Sequence, residues 1–186
     1  MPAISIAIDK VTSTGGILQN KNVTFKTLEQ DSNRSELQAP LAAMSMFTEV
    51  QLFLGPVYGF GVAPIARYSR YWNVPIVTAG AAEVAFKDKE EFSVLTRVGA
   101  IYEESFKILK ELNQKYDWTK FGLIYHRAGP QDYSDCYMTL WAAYEMLQIP
   151  FLDKSYPKSL SFNENNSSGI DAKKLLQELS SSTRRK

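Results

Sequence analysis

Short apolar runs alternate with amphipathic segments along most of this chain. The apolar or alternating runs predict strands at residues 23–29, 51–54, 75–78, 121–125 and, more weakly patterned, 151–156. Apolar residues at helical spacing predict helices around residues 4–11 and at 36–47, 62–72, 102–116, 133–148 and 170–179. Buried strands that alternate with helices indicate an α/β fold, in which a doubly wound parallel sheet is covered on both faces.

Ligands of doubly wound sheets bind beyond the carboxyl ends of the strands. Those ends are predicted at residues 30–33, 55–61, 78–83 and 126–133, and the stretch 53–80 contains two of them. A sheet of this class usually begins with a strand near its centre, whereas this chain begins with a helical pattern. We therefore expect the first strand of the fold to be missing from the sequence. Residues 159–169 are predicted to form a polar loop, and 180–186 a disordered tail.

Composition narrows the functional classes. The 186 residues suffice for one domain or one lobe, and a hydrophobic share of 45% provides a sizeable core. A formal net charge of +1 gives no general attraction to nucleic acid or to an anionic membrane. No apolar run approaches the roughly 18–20 residues that cross a bilayer, and the N-terminus lacks the basic and small-residue features of a signal peptide.

The sequence contains no pattern of catalytic or metal-binding residues. It has one histidine and one cysteine, and it lacks the nucleophile elbow GxSxG and the phosphate-binding Walker sequence. Gly59-Phe-Gly61 lacks the third glycine and the acidic residue of a dinucleotide fingerprint. We therefore expect no enzymatic site and no metal ion within these residues.

Two features bear on the compartment. Cys136 is the single cysteine, so no disulfide can form within the chain. Four glycosylation sequons begin at Asn22, Asn33, Asn165 and Asn166, of which the last two overlap. In a secreted protein the sequons predict surface positions for glycans, and the odd cysteine calls for a partner elsewhere.

The stretch FLGPVYGFGVAPIARYSRYWNVPIVTAG, residues 53–80, resembles a segment of natriuretic peptide receptors and related receptor guanylate cyclases. In that family a strand is followed by Leu-Gly-Pro, a turn, Ala-Pro-Val-Ala-Arg, and then Trp-x-x-Pro-x-x-Thr-Ala-Gly. Further similarities follow in order at FSVLTRVG (92–99), at YDW (116–118) before FGLIY, and at DCYMTL (135–140). Their order and spacing are more specific than any single motif.

This resemblance implies a type I periplasmic-binding-protein-like fold, with two doubly wound lobes around a cleft. Residues 1–186 would form part of the first, membrane-distal lobe of a receptor that is anchored in the cell membrane and binds a peptide hormone on its extracellular face. The resemblance also implies a homodimer formed through this lobe. A guanylate cyclase domain, where the parent receptor has one, lies outside this chain.

The resemblance also assigns site residues. Arg67 matches a hormone-contacting arginine of the family. Other positions that fall near family contacts are Glu36, Phe60, Glu91, Phe92, Tyr125 and His126. An arginine suits peptide carboxylates or carbonyls, while acidic side chains suit a basic hormone.

Two further sites follow from the resemblance. Chloride is the one ion implied, and the nearest matches to its ligands are Ser32, Val57 and Tyr58. A family disulfide at this turn is absent, because its cysteines align with Arg34 and Tyr58. The resemblance pairs Cys136 with a cysteine in a strand beyond the last helix, outside this chain.

Two alternatives stay open at this stage. The first is a small-molecule binding lobe of the same fold, in which Gly55 and residues 78–80 would hold an amino-acid-type ligand. The second is a non-functional receptor fragment or soluble decoy, because a missing central strand would leave its neighbours unpaired.

Overall fold

The computed structural model describes residues 2–118, 122–127, 135–146, 158–165 and 170–183. The chain divides into two compact units, residues 1–31 and residues 32–186. Among the described residues no helix is both long and apolar enough to cross a bilayer.

The first unit contains one helix, α1, at Pro2–Thr12, as the spacing of Ile4 and Val11 predicts. Residues 22–31 follow as irregular chain, so the prediction of a strand at 23–29 is wrong. An alternating pattern provides an apolar face, but a strand also needs a neighbour for its backbone hydrogen bonds. Val23 and Phe25 are instead 45% and 46% exposed.

The second unit alternates helices and short strands. In order they are α2 (Gln38–Met46), β1 (Phe53–Leu54), α3 (Gly59–Trp72), β2 (Ile76–Thr78), a 3₁₀ turn (Val84–Lys87), β3 (Leu95–Arg97), α4 (Tyr102–Tyr116), β4 (Gly122–His126), α5 (Asp135–Met146), β5 (Lys158–Phe162) and α6 (Ala172–Thr183). The strands form two parallel sheets, ordered β1-β2-β3 and β4-β5. The predicted α/β class with parallel strands is therefore confirmed.

Several boundaries differ from the predictions. Strand β3 lies in a stretch with no strand signal, and β5 lies where a polar loop was expected, because its apolar residues Leu160 and Phe162 alternate with serines. Helix α6 continues to Thr183, so residues 180–183 are not a disordered tail. The predicted strand at 151–156 falls outside the described residues.

Helix α3 packs three of its residues into the core of the first sheet. Its residues Val62, Ile65 and Ala66 are at most 2% exposed, and they pack with Ile76 of β2 and Leu95 of β3. Each fully buried Val, Leu or Ile contributes about 1.5–3 kcal/mol. This packing fixes α3 against the sheet and so determines where its first turn and its solvent-facing residues lie.

The start and the end of α3 follow from local sequence. The helix begins at Gly59, three residues before the predicted start, so Pro64 lies inside it rather than in its first turn. Tyr58 is the N-cap residue, and its carbonyl accepts hydrogen bonds from the N–H groups of Gly61 and Val62 at 3.0 Å each. Asn73 ends the helix in the left-handed conformation, at φ +55°, where its N–H donates to the Ser69 carbonyl.

Candidate ligand-binding surface

The turn after β1 is held tightly to the end of β2. Thr78 Oγ1 donates to the Pro56 carbonyl at 2.6 Å and accepts the Gly80 N–H at 3.0 Å, while the Ala81 N–H donates to the Val57 carbonyl at 3.2 Å. The first and the third of these hydrogen bonds join the carboxyl ends of two adjacent strands, and the second closes the segment after β2 on itself. The glycine-rich turn is therefore a fixed part of the first sheet's edge.

The same contacts bear on the small-molecule alternative. Thr78 is 2% exposed, and its hydroxyl donates and accepts within the chain. A Cβ added to Gly80 would lie 1.9 Å from the Val57 carbonyl oxygen, so backbone already occupies that space. Thr78 and Gly80 are thus packed against the turn, whereas Ala79 between them is exposed.

A carboxylate lies at the first turn of α3. A Cβ added to Gly59 would meet Glu83 Oε1 at 1.9 Å, which shows that this side chain packs directly on the helix N-terminus. The Glu83 segment is held by Arg97, whose Nη1 donates to the carbonyls of Ala81 and Glu83 at 3.1 Å each. Because a helix N-terminus favours negative charge, Glu83 supplies an internal anion there.

The chloride prediction concerns this same turn. Val57 is 67% exposed, and the Tyr58 ring contacts the Phe60 ring with centroids 5.4 Å apart. The Ser32 hydroxyl makes no hydrogen bond with any described residue, so none joins it to the turn. Glu83 competes for the position of an anion at the helix end, and no sequence pattern predicted this side chain here.

Three of the predicted contact residues come together where helix α3 meets the loop at residues 88–92. Arg67 Nε donates to Glu91 Oε1 at 2.5 Å, and the guanidinium carbon lies 5.1 Å from the centre of the Phe92 ring. The side chains of Arg67 and Glu91 are 51% and 42% exposed. They therefore form a charged pair that faces solvent and rests on an aromatic ring.

The loop that carries Glu91 is itself well ordered. Asp88 Oδ1 accepts the backbone N–H groups of Glu90 and Glu91 at 2.9 and 3.2 Å, and the Phe92 N–H donates to the Asp88 carbonyl at 2.9 Å. Arg70, one turn after Arg67 on α3, donates from Nη1 to the Glu90 carbonyl at 2.7 Å. Two arginines of one helix thus hold one loop, a connection that local sequence patterns could not reveal.

The structure corrects the prediction for Phe92. This residue is 2% exposed and packs against Phe86, with ring centroids 4.9 Å apart, so a peptide cannot contact it directly. Its ring supports Arg67 from beneath. Phe60 is half-buried beside Tyr58, and Glu36 is exposed before α2, with no hydrogen bond or ion pair from Glu36 to the Arg67 cluster among the described residues.

Tyr125 and His126 lie elsewhere, at the end of β4 in the second sheet. Both are half-buried. His126 Nδ1 accepts the Glu164 N–H at 3.3 Å, and its ring meets Phe162 of β5 edge-on at 5.9 Å. His126 therefore has a structural role at this strand end, and no contact in the described residues joins it to Arg67.

The predicted modification sites are at the surface where the structure describes them. Cys136 is exposed near the start of α5, and Asn22, Asn33 and Asn165 are exposed as well. The Asn33 amide donates to Gln38 Oε1 at 2.7 Å. Asn166 lies outside the described residues. Within the described part of the chain, no group of three or more His, Cys, Asp or Glu side chains could hold a metal ion.

Parallel strands that alternate with helices place this chain among the α/β proteins. A family model described as "Receptor family ligand binding region" matches residues 1–185. The chain belongs to this family, which confirms the resemblance found in the sequence.

Natriuretic peptide receptors are among the relatives. The chain is 29% identical to the mouse atrial natriuretic peptide receptor 3 over 177 residues, and 29% identical to the human receptor 3 over 190 residues. These alignments cover 91% and 98% of the chain but only 32% and 34% of the receptors. Rat atrial natriuretic peptide receptor 2 is 27% identical over 79% of the chain and 14% of that receptor. The chain thus spans about a third or less of these relatives.

Proposed function

We propose that this chain is the first, membrane-distal lobe of the ligand-binding region of a natriuretic-peptide-receptor-like membrane receptor. It binds a peptide hormone at the extracellular surface and does not itself catalyse a reaction. The observation that carries the proposal is the solvent-facing Arg67–Glu91 pair above the buried Phe92 ring. Family membership and the names of the relatives support the same function.

The physical properties of this pair suit recognition of a flexible peptide. Because Glu91 and Phe92 hold the Arg67 side chain in place, a ligand loses less binding energy to ordering it. An exposed arginine on an aromatic platform is also a typical energetic centre of an interface. The Thr78 hydroxyl and the space beside Gly80, by contrast, are already occupied by contacts with the turn after β1.

We further propose that a second copy of the chain covers the outer face of α2 and α3. This face, called the α2–α3 face below, consists of Leu37, Leu41, Met44, Tyr68 and Tyr71. These side chains are between 41% and 85% exposed, which is unusual for large apolar residues on two neighbouring helices. Burial in a homodimer would remove this apolar surface from water.

The remaining family properties are proposed in the same terms. Cys136 pairs with a cysteine of the parent receptor beyond this chain, and the exposed sequon asparagines carry glycans. The lobe needs no cofactor. Chloride is the one ion that the resemblance implies, and the Glu83 carboxylate at the start of α3 opposes its retention.

Isothermal titration calorimetry of the chain with atrial natriuretic peptide tests the hormone-binding proposal. Replacing Arg67 with alanine removes the proposed charged contact, and we expect at least tenfold weaker binding, since a hydrogen bond to a charged group contributes about 1.5–3 kcal/mol. Lys107→Ala is the matched control, because it removes one positive charge from an exposed pair with Glu104 on α4. Equal affinity of wild type and Arg67→Ala, or no binding to the wild type, would contradict the proposal.

A further inference from the structure

The Arg67 guanidinium has unused hydrogen-bonding capacity. Arginine carries five N–H donors, and here Nε alone is bonded, to Glu91 Oε1. No other hydrogen bond joins Arg67 to a described residue, and its side chain is 51% exposed. The terminal nitrogens Nη1 and Nη2, which are the pair that matches two oxygens of one carboxylate, are therefore available to a ligand.

The orientation of this nitrogen pair is set by two neighbours. Phe92 is buried against Phe86, so the ring beneath the guanidinium does not move freely. Glu91 holds Nε, and its own backbone N–H is bonded to Asp88 Oδ1. The guanidinium is thus bonded at Nε, and its central carbon lies 5.1 Å from the centre of the Phe92 ring. The Nη1–Nη2 edge makes no hydrogen bond to a described residue.

The charges of the loop restrict what that ligand is. Three carboxylates, those of Asp88, Glu90 and Glu91, belong to the loop that Arg67 contacts through Glu91. Arg70 nearby is bonded to a backbone carbonyl. A free multiply charged anion such as phosphate meets repulsion from this loop. A single carboxylate carries less charge and so meets less repulsion, and the other contacts of its peptide help to offset that repulsion.

We propose that Nη1 and Nη2 of Arg67 bind one carboxylate of the peptide ligand, and that Glu91 and Phe92 are positioning residues that present this nitrogen pair. Glu91 is accordingly not a contact for a basic hormone residue, because its charge is already paired within the lobe. This inference rests on the proposed function and adds the chemical class of the group that the ligand brings to α3.

The test compares carboxylate and amide forms of defined probes. The first probe is atrial natriuretic peptide in several forms. Its C-terminus is either a free carboxylate or an amide, and its acidic side chains are either kept or replaced by the corresponding amides. The second is a randomised octapeptide pool, synthesised once as the free acid and once as the amide. Calorimetry gives the Kd for the hormone forms, and mass spectrometry of retained peptides gives the acid-over-amide ratio for the pool.

We expect wild type to prefer the carboxylate forms about tenfold, the effect of one charge-assisted contact. Arg67→Lys, which keeps the charge but loses the planar nitrogen pair, should abolish most of this preference, while Arg70→Lys should retain it. Glu91→Ala should reduce the preference, and Glu91→Gln, whose amide oxygen still accepts from Nε, should be intermediate. Comparison of the hormone forms shows whether Arg67 binds the C-terminal carboxylate or an acidic side chain.

Two readouts separate positioning from general stability. The NMR signal of Arg67 Nε–H, assigned by its loss in Arg67→Lys, should shift in Glu91→Gln while the melting temperature stays unchanged. An acid-over-amide ratio that is the same in wild type and Arg67→Lys, or no preference with either probe, overturns the inference. Failure of the hormone to bind, together with an Arg67-dependent preference in the pool, would refute the hormone proposal but support the carboxylate site.

Discussion

Gly80 lies where the end of β2 meets the turn that precedes α3, and its replacement by alanine would test how that edge of the sheet is held together. The added Cβ would lie 1.9 Å from the Val57 carbonyl oxygen, 2.6 Å from its carbon and 2.8 Å from Val57 Cα. All three atoms belong to the backbone, so no side-chain rotation can relieve the contact. The turn and β2 must move apart.

The expected cost follows from the contacts that this movement disturbs. Forcing extra volume into a packed site costs about 1–3 kcal/mol. Weakening the hydrogen bond from the Ala81 N–H to the Val57 carbonyl, now 3.2 Å long, adds about 1 kcal/mol. Alanine also lowers the conformational entropy of the unfolded chain, which offsets about 0.4–1 kcal/mol of this destabilisation. Gly80→Ala should therefore lower the free energy of unfolding by about 1–3.5 kcal/mol.

Urea unfolding of the chain, followed by far-ultraviolet circular dichroism, measures this change, provided that the m-values of the variants agree. Gly55→Ala is the matched control, because no atom lies within 4 Å of its added Cβ and the cost comes from its backbone at φ +94° alone. We expect about 1–2 kcal/mol for that variant. A Gly80→Ala protein as stable as wild type would refute the account of the locked turn.

Three further predictions concern the dimer face, the helix N-terminus and a buried charge. Leu41→Glu and Tyr71→Ala, at positions 57% and 85% exposed, should shift sedimentation from dimer to monomer without lowering the melting temperature, whereas a dimer that persists in both excludes the α2–α3 face. Replacing gluconate with chloride should leave the melting temperature of the wild type unchanged. The same replacement should raise the melting temperature of the Glu83→Gln variant. Lys87→Met, which strands the 2% exposed Glu103 carboxylate, should cost about 2–3 kcal/mol in urea unfolding, and adding Glu103→Gln should restore most of it.

The sequence predicted best those elements whose residues carry a complete local signal. Helix α4 has the predicted bounds because its apolar spacing is regular and its ends carry acidic and basic residues. Strand β3 was missed because only three residues form it, between charged loops, and its pairing with β2 depends on residues 76–78. Residues 23–29 are the opposite case, a predicted strand that does not form, because their alternating pattern does not provide a neighbouring strand to pair with.

For the candidate site, the resemblance identified the residues but did not show which of them contact one another. Arg67 and Glu91 are 24 positions apart, so their pairing depends on how α3 packs on the sheet. Phe92 was predicted as a ligand contact. A single aligned phenylalanine does not reveal whether its ring meets the ligand or packs beneath Arg67. Glu83 carried no signal at all, because its position at Gly59 arises only when two strand ends meet.

The turn after β1 also shows how a constraint seen in a family can be absent without loss of order. The resemblance aligns a disulfide cysteine with Tyr58, and this chain has none there. The turn is nevertheless held by the hydrogen bonds from Thr78 to Pro56 and from Ala81 to Val57, and by the close approach of Gly80. These contacts join the turn to its own sheet, so they need no covalent link to another loop. The order of α3, and with it the position of Arg67, therefore depends on noncovalent packing that Gly80→Ala perturbs directly.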